Sequence, residues 1–503
     1  MASLESWSRL IRTGLILLRH DALLPKETEH LLPPIPRFLA ATLRAIFAQK
    51  SRLRAGERYA LAFKDLGPAF IKLGQILSTR GDIFGQRFIE DLSHLKDRLS
   101  PFSKAVAEAT ILESLGKPAD QLFAEFGDAI GSASIAQAHA AVLPDGRKVA
   151  VKILRPHIEQ IVAADIAMLT LGADIVAFFF PSAKRLEPQA FVATVAQSLL
   201  LELDLRLEAS AADEIGQIIN AEPWMRAPKI VWHHVSRRVM VMEWADGVAL
   251  SDPETLNLPG LDHKELADNL IRAFLSQALD HGVFHADLHE GNLFVQAPAQ
   301  LIAIDFGIIG RLRPKERRYL AEMLWGFLRR DYKRVAEVHF EAGYVPAHQN
   351  VDSFAQALRA VGEPVLGRQA TEVSMGRLLS QLFEITAQFD MHLRPELVLL
   401  QKTMVSVEGV ARRIYPEHNL WEAARPVVRA WISRELSPVV EARRLFDKLL
   451  HKLRTDEDDT APRRDALELA TLRLVSQQGR TFGLIALVVS LISLAVLIWM
   501  AVR

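Results

Sequence analysis

The residues with the clearest chemical content are His285-Ala286-Asp287-Leu288-His289-Glu290-Gly291-Asn292, followed after a short strand-like run by Asp305-Phe306-Gly307. Moving a phosphoryl group between oxygens needs a carboxylate beside the nucleophile and oxygen ligands for magnesium. H-x-D-x-x-x-x-N followed by D-F-G supplies both. Asp287 is expected to orient or deprotonate the attacking hydroxyl, while Asn292 and Asp305 hold Mg²⁺ on ATP. Either motif alone is weak, and the two together at this separation are strong. His281, His285 and His289 recur every four residues, yet no acidic ligand is spaced to complete a tetrahedral metal site, and the loop already accounts for them.

Three further motifs stand upstream in the order found in protein kinases. Val149-Ala150-Val151-Lys152 has the form of the strand whose lysine grips the α- and β-phosphates, so Lys152 is assigned a catalytic and nucleotide-binding role. Such a lysine needs an acidic partner. Glu208, in a helical stretch between this strand and the next, is the expected one. Before Lys152, Gly131-Ser132-Ala133-Ser134-Ile135-Ala136 occupies the place of a G-x-G-x-x-G loop, with only the first glycine kept. Alanine at positions 133 and 136 adds Cβ atoms where backbone must approach phosphates, so this loop should sit differently on a nucleotide. The same residues also read as a helix start capped by Ser132 or Ser134. Met240 to Ala245 resembles the strand leading to a kinase hinge, where the backbone of Glu243 and Ala245 would meet adenine with Met242 behind it.

The elements that must position these groups follow from the patterning. Apolar residues at three- and four-residue spacing, interrupted at Pro25, Pro33 to Pro36 and Pro101, predict a helical N-terminal extension over 1–125. The strand-like runs Ala138 to Leu143 and Val149 to Leu154, joined by Pro144-Asp145-Gly146, predict a hairpin in a kinase-like N-lobe over 126–245. A long helical region from Ile158 to Asn220 is expected within it. A mostly helical C-lobe and extension fill 246–453, and a charged linker and juxtamembrane segment fill 454–481.

Phe482 to Val502 contains no charged residue. A helix of that length at ~1.5 Å per residue spans the ~30 Å hydrocarbon layer, so 482–502 is expected to be transmembrane. Arg463, Arg464, Arg473 and Arg480 precede it and Arg503 follows, so the catalytic domain is expected on the cytoplasmic side. The apolar run Leu15 to Leu18 leads into Arg19-His20-Asp21 without a cleavage site, and reads as an amphipathic helix packed on the domain. The expected class is therefore α+β, an atypical protein-kinase-like bilobal fold with a helical N-terminal extension and a C-terminal transmembrane helix.

Composition narrows the alternatives. Lys plus Arg and Asp plus Glu number 60 each, so no concentrated basic character points to nucleic acid. Cysteine is absent, which excludes disulfides, thiolate metal sites and a Cys nucleophile.

With Gly131 to His139 and Phe70-Ile71-Lys72-Leu73-Gly74-Gln75 in view, the chain resembles the UbiB family, atypical kinase-like proteins associated with ubiquinone biosynthesis. The resemblance runs from Arg9-Leu10-Ile11-Arg12 through Leu66-Gly67-Pro68 and Glu202-Leu203-Asp204 to the C-terminal apolar segment. It implies that the KxGQ helix, with Lys72 and Gln75, folds over the active site, where Lys72 meets Glu202 and Asp204 and blocks a protein substrate. On one helix Asp204 and Glu208 would share a face at i, i+4 and could serve both Lys72 and Lys152. Family members usually end in two membrane segments, whereas one clear span is found here. Ala286 replaces the arginine of H-R-D, and no A-P-E follows Asp305, so no platform for a peptide is evident.

The resemblance implies an ATP-using, Mg²⁺-dependent phosphotransferase or ATPase acting on or near lipid-like quinone precursors in a bacterial inner membrane, with ubiquinone-biosynthesis proteins as partners. Two other functions fit the same motifs, a nucleotide-sensing scaffold without catalysis and a true protein kinase.

Overall fold

The hydrophobic periodicity of Lys148–Leu154 explains how the first sheet is placed. Val149, Val151 and Ile153 are buried on one face, while Ala150 and Lys152 point to the other, as a two-residue repeat requires. The computed structural model of the protein describes residues 4–22, 53–77, 100–179, 187–366, 388–391 and 395–436, together with 42, 46, 47, 88, 91 and 92. The chain divides into two compact units, 1–429 and 430–503, and every site residue discussed below lies in the first. The expected membrane span Phe482 to Val502 and the linker before it lie outside the described residues.

The first helices are α1 (Leu4–Arg19), α2 (Ala55–Leu66), α3 (Pro68–Leu77), α4 (Lys104–Leu115) and α5 (Ala119–Leu122). Strands β1 (Glu125–Ser132), β2 (Ala136–Val142) and β3 (Lys148–Leu154) follow, and with β5 (Val239–Glu243) they form an antiparallel sheet in the order β1-β2-β3-β5. Its buried face packs on Ala107 and Ile111 of α4 and on Leu122 and Phe123, which leaves the face of Lys152 open to the cleft. Gly146, at φ +84°, makes the β2–β3 turn possible.

Between β3 and β5 run α6 (Ile158–Phe179), α7 (Pro188–Glu202) and α8 (Leu205–Asn220). The single helical region expected from Ile158 to Asn220 is thus three helices. Pro188 starts α7 at its first turn, and Asp204 ends the continuity by capping α8, its carboxylate accepting the Arg206 N–H at 3.1 Å. Helix α6 packs against α1, α3 and α7, and Arg9 of α1 pairs with the buried Asp165 at 2.7 Å. Among the described residues, 158–178 is the stretch long and apolar enough to cross a membrane, with mean hydropathy 2.0. Phe63, Phe70 and Met168 join α2, α3 and α6 in one apolar cluster.

The second lobe contains β4 (Met225–Arg226), β6 (Val248–Ala249), β8 (Leu293–Gln296) and β9 (Gln300–Ala303) in a sheet of order β4-β9-β8-β6. A separate pair joins β7 (Val283–His285) to β10 (Ile309–Arg311). Its helices are α9 (His263–Ser276), α10 (Pro314–Arg329), α11 (Tyr332–Glu341), α12 (Val351–Leu366) and α13 (Pro395–Ile414), and α14 (Leu420–Glu435) comes last. Only β10 and three further residues separate Gly307 from α10, so the segment after D-F-G is short.

Candidate active site

Lys152 lies at the centre of the cleft because β3 places it on the open face and α8 passes across that face. Its Nζ stands 2.5 Å from Glu208 Oε1 and 3.7 Å from Asp305 Oδ2. Desolvation works against the ammonium, but the Asp305 and Glu208 carboxylates outweigh it and hold Lys152 above the ordinary lysine value. Asp305 is held below the usual carboxylate range, chiefly by Lys152, with the Gly307 N–H donating to its Oδ1 at 2.9 Å. Glu208 is pushed up by burial, and the like charge of Asp305 adds to the push while Lys152 opposes it. Arg311, just after D-F-G, makes a two-pronged pair with Glu214 at 2.8 and 2.5 Å, tying α8 to the segment that carries Asp305.

The loop bearing Asp287 is built from its own main chain. Buried His285 accepts the Asp287 N–H on Nδ1 at 3.1 Å, and its own N–H donates to Gln277 Oε1 at 3.0 Å. Burial pushes its imidazole below the ordinary histidine value, so it stays neutral. The Asn292 side-chain N–H₂ donates to the Asp287 carbonyl at 3.1 Å, which leaves the amide oxygen of Asn292 for another partner. His289 Nδ1 accepts the Gly291 N–H at 3.0 Å, so its proton is on Nε2, which faces Asp287 Oδ2 at 3.7 Å.

These groups fit magnesium on a nucleotide. Among the described residues no group of three or more His, Asp or Glu could hold a metal by itself. Mg²⁺ is commonly held by one or two carboxylates with substrate phosphates, and Asp305 with the Asn292 amide oxygen provides that kind of set.

The Gly131–Ala136 segment is a strand, a turn and a strand, which overturns its reading as a helix start. Ser132 pairs with Gln137, and the Ala133 N–H donates to the Ala136 carbonyl at 2.8 Å. That amide is therefore committed within the turn. Arg155 clasps the turn from beneath, donating to the Ala133 carbonyl at 3.1 and 2.9 Å and to Ser132 Oγ at 2.6 Å. Ser134 is buried, and Ile135 accepts the Arg155 N–H through its carbonyl at 2.8 Å. At the hinge, the Glu243 N–H donates to the Lys229 carbonyl at 2.9 Å and Ala245 stands half-exposed two residues on.

Lys72 of α3 is buried and ion-paired with Glu202 at the end of α7. Gln75 lies one turn further along α3, half-buried. Asp204 does not share that contact. Because it caps α8 from outside the helix, it is held by Arg206 at 2.9 and 2.6 Å, and the expected i, i+4 face with Glu208 does not form.

Helix α13 contributes residues that the motifs did not reveal. Thr403 Oγ1 shares its one proton between the Ala286 carbonyl at 3.0 Å and the Leu399 carbonyl of its own helix at 2.8 Å, and Ser406 Oγ donates to the Leu288 carbonyl at 2.9 Å, Ala286 and Leu288 being 117 and 118 residues away in the chain. Arg413 pairs with Glu290. No spacing within the sequence signals such contacts.

A cleft with a half-buried Lys–Glu pair, a D-F-G aspartate and an H-x-D loop defines an atypical kinase-like domain. The family model described as the ABC1 atypical kinase-like domain matches residues 94–339, and one described as the UbiB helical domain matches 358–419. A protein named "Probable protein kinase UbiB" from Marinobacter nauticus is 39% identical over 437 residues, covering 86% of this chain and 79% of the relative. Another of that name from Xylella fastidiosa is 37% identical over 461 residues, covering 90% and 83%. The chain belongs to the UbiB family. The Rv3197 protein of Mycobacterium tuberculosis, solved in a complex with erythromycin, shares the fold at a TM-score of 0.53 and 21% identity, covering 78% of this chain and 97% of that one.

Proposed function

We propose that this UbiB-family chain uses Mg²⁺-ATP at a membrane in support of ubiquinone biosynthesis, transferring or hydrolysing the terminal phosphate on or near lipid-like quinone precursors. The observation that carries the reading is Lys152 held between Glu208 and Asp305. Lys152 would neutralise the inner phosphates, and Asn292 and Asp305 would hold Mg²⁺, which offsets charge on the phosphate oxygens. Asp287 would take the acceptor proton, with the His289 Nε2–H facing its carboxylate.

The Lys72–Glu202 pair supports a small or lipid-like acceptor over a protein, because α3 places the chain's own buried lysine there. The committed Ala133 amide favours the second reading, a nucleotide-sensing scaffold, since it removes one donor from phosphate binding. Quinone-intermediate profiling in a deletion strain complemented by wild-type or Asp287→Asn protein separates the two. The enzyme reading predicts that the variant accumulates the same precursors as the deletion. Full complementation by a variant that still binds nucleotide would support the scaffold instead, and unchanged quinones on deletion would remove both.

A further inference from the structure

Lys402 precedes Thr403 and lies one turn before Ser406, the two residues whose hydroxyls reach the Ala286 and Leu288 carbonyls. Helix α13 therefore runs along the main chain on both sides of Asp287. Thr403 is fully buried against that loop, whereas Lys402 is exposed and shares the helix face of Ser406 at i, i+4. The other two lysines of the site are already committed, Lys152 to Glu208 and Lys72 to Glu202. Lys402 has no direct pair with a described carboxylate. Desolvation of its ammonium end lowers its pKa from the ordinary lysine value, and its charged neighbours are the attractive Asp287 and the repelling Lys72.

An unpaired cation beside the carboxylate that handles the nucleophile has a use in the proposed reaction. A phosphoryl group moving toward Asp287 brings negative oxygens against a carboxylate, and Lys152 stands on the nucleotide side. We propose that Lys402 is a catalytic residue of the acceptor side, its ammonium contacting the terminal phosphoryl group as it passes from ATP to the nucleophile beside Asp287. This rests on the Mg²⁺-ATP reading above. In the step, a bond forms from the acceptor oxygen to phosphorus, the bond from phosphorus to the bridging oxygen breaks, and its electron pair leaves on ADP. The acceptor proton passes to Asp287, and Lys402 exchanges no proton.

The test uses the full-length protein with phospholipid vesicles and compares Lys402→Met with Lys402→Arg for Mg²⁺-ATP turnover, ATP affinity by calorimetry and melting temperature. The expected result is a fall in kcat of about 100-fold for Lys402→Met, with ATP affinity within about twofold and melting unchanged. Lys402→Arg, which keeps the charge, recovers at least about tenfold of that loss. A Lys402→Met kcat within about threefold of wild type overturns the assignment, as does a kcat loss that the arginine does not relieve. Equal loss of ATP affinity also overturns it, making Lys402 a nucleotide-binding group. Wild-type turnover no greater than that of Asp305→Asn removes the Mg²⁺-ATP reading itself, an outcome distinct from an active wild type with an indifferent Lys402.

Discussion

The two sides of the cleft are built in different ways. On the nucleotide side, Lys152, Glu208 and Asp305 come from β3, α8 and the segment after β9, and they form one charge cluster. On the other side, the loop of Asp287 is braced by α13 through Thr403 and Ser406, and the Lys72–Glu202 pair joins α3 to α7. The first arrangement needs only the parts of any phosphoryl-transfer domain. The second adds α3, which precedes the ABC1 match, and α13, which lies within the UbiB helical match. The two sides are therefore open to separate mutational tests.

The sharpest test of that separation is Lys152→Ala. It leaves Glu208 and Asp305 facing each other without a cation, and Mg²⁺-ATP turnover is expected to fall on the order of 10³-fold. Retained turnover would mean that the cluster is structural.

A buried histidine remote from both sides provides a stability control. Burial lowers His339 from 6.5 to about 4, and its Nδ1–H donates to the Val335 carbonyl at 2.7 Å. The unfolded chain therefore binds this proton below pH 6.5 while the folded chain does not until about pH 4. Stability contributed by neutral His339 is full above that window and is lost as pH falls through it, by about 3 kcal/mol. Urea unfolding at several pH values should show a shallower acid slope in His339→Gln, and identical slopes would contradict the assignment.

Thr403→Val tests the brace from α13. It leaves the Ala286 carbonyl without its buried donor, so we expect a stability loss of about 1–3 kcal/mol and a lower kcat with ATP affinity kept. Equal effects on kcat and ATP affinity would blur the division between the two sides.

The smallest effect on stability is expected for Lys72→Met. Glu202 is a quarter exposed, so water relieves its lost partner and the cost is about 1 kcal/mol. The same change frees α3 from α7, and labelled phosphate incorporated into the chain itself should rise. No rise would argue that the Lys72–Glu202 pair does not limit access.

This division also governs what the sequence discloses. Lys152, Asp287, Asn292 and Asp305 are legible because phosphoryl transfer dictates residue types and spacing over a few positions at strand ends. Glu208 could be chosen because the helix between two strands has a definite place opposite Lys152. The break at Leu203 and Asp204 was hidden, since no glycine or proline marks it and the apolar pattern runs through. The two-residue strands β4 and β6 are too short to carry a period. Thr403 and Ser406 were invisible because a hydroxyl's partner more than a hundred residues away leaves no local trace. The apolar segment Phe482 to Val502 was legible by length and charge alone, and it lies outside the described residues.

The most direct test of an intact nucleotide side is Mg²⁺-dependent ATP turnover by the full-length protein with phospholipid vesicles, compared with Asp305→Asn. The account predicts turnover in the wild type that disappears in the variant and on chelation of magnesium. Equal rates in the two proteins, or a wild-type rate indifferent to magnesium, would contradict it.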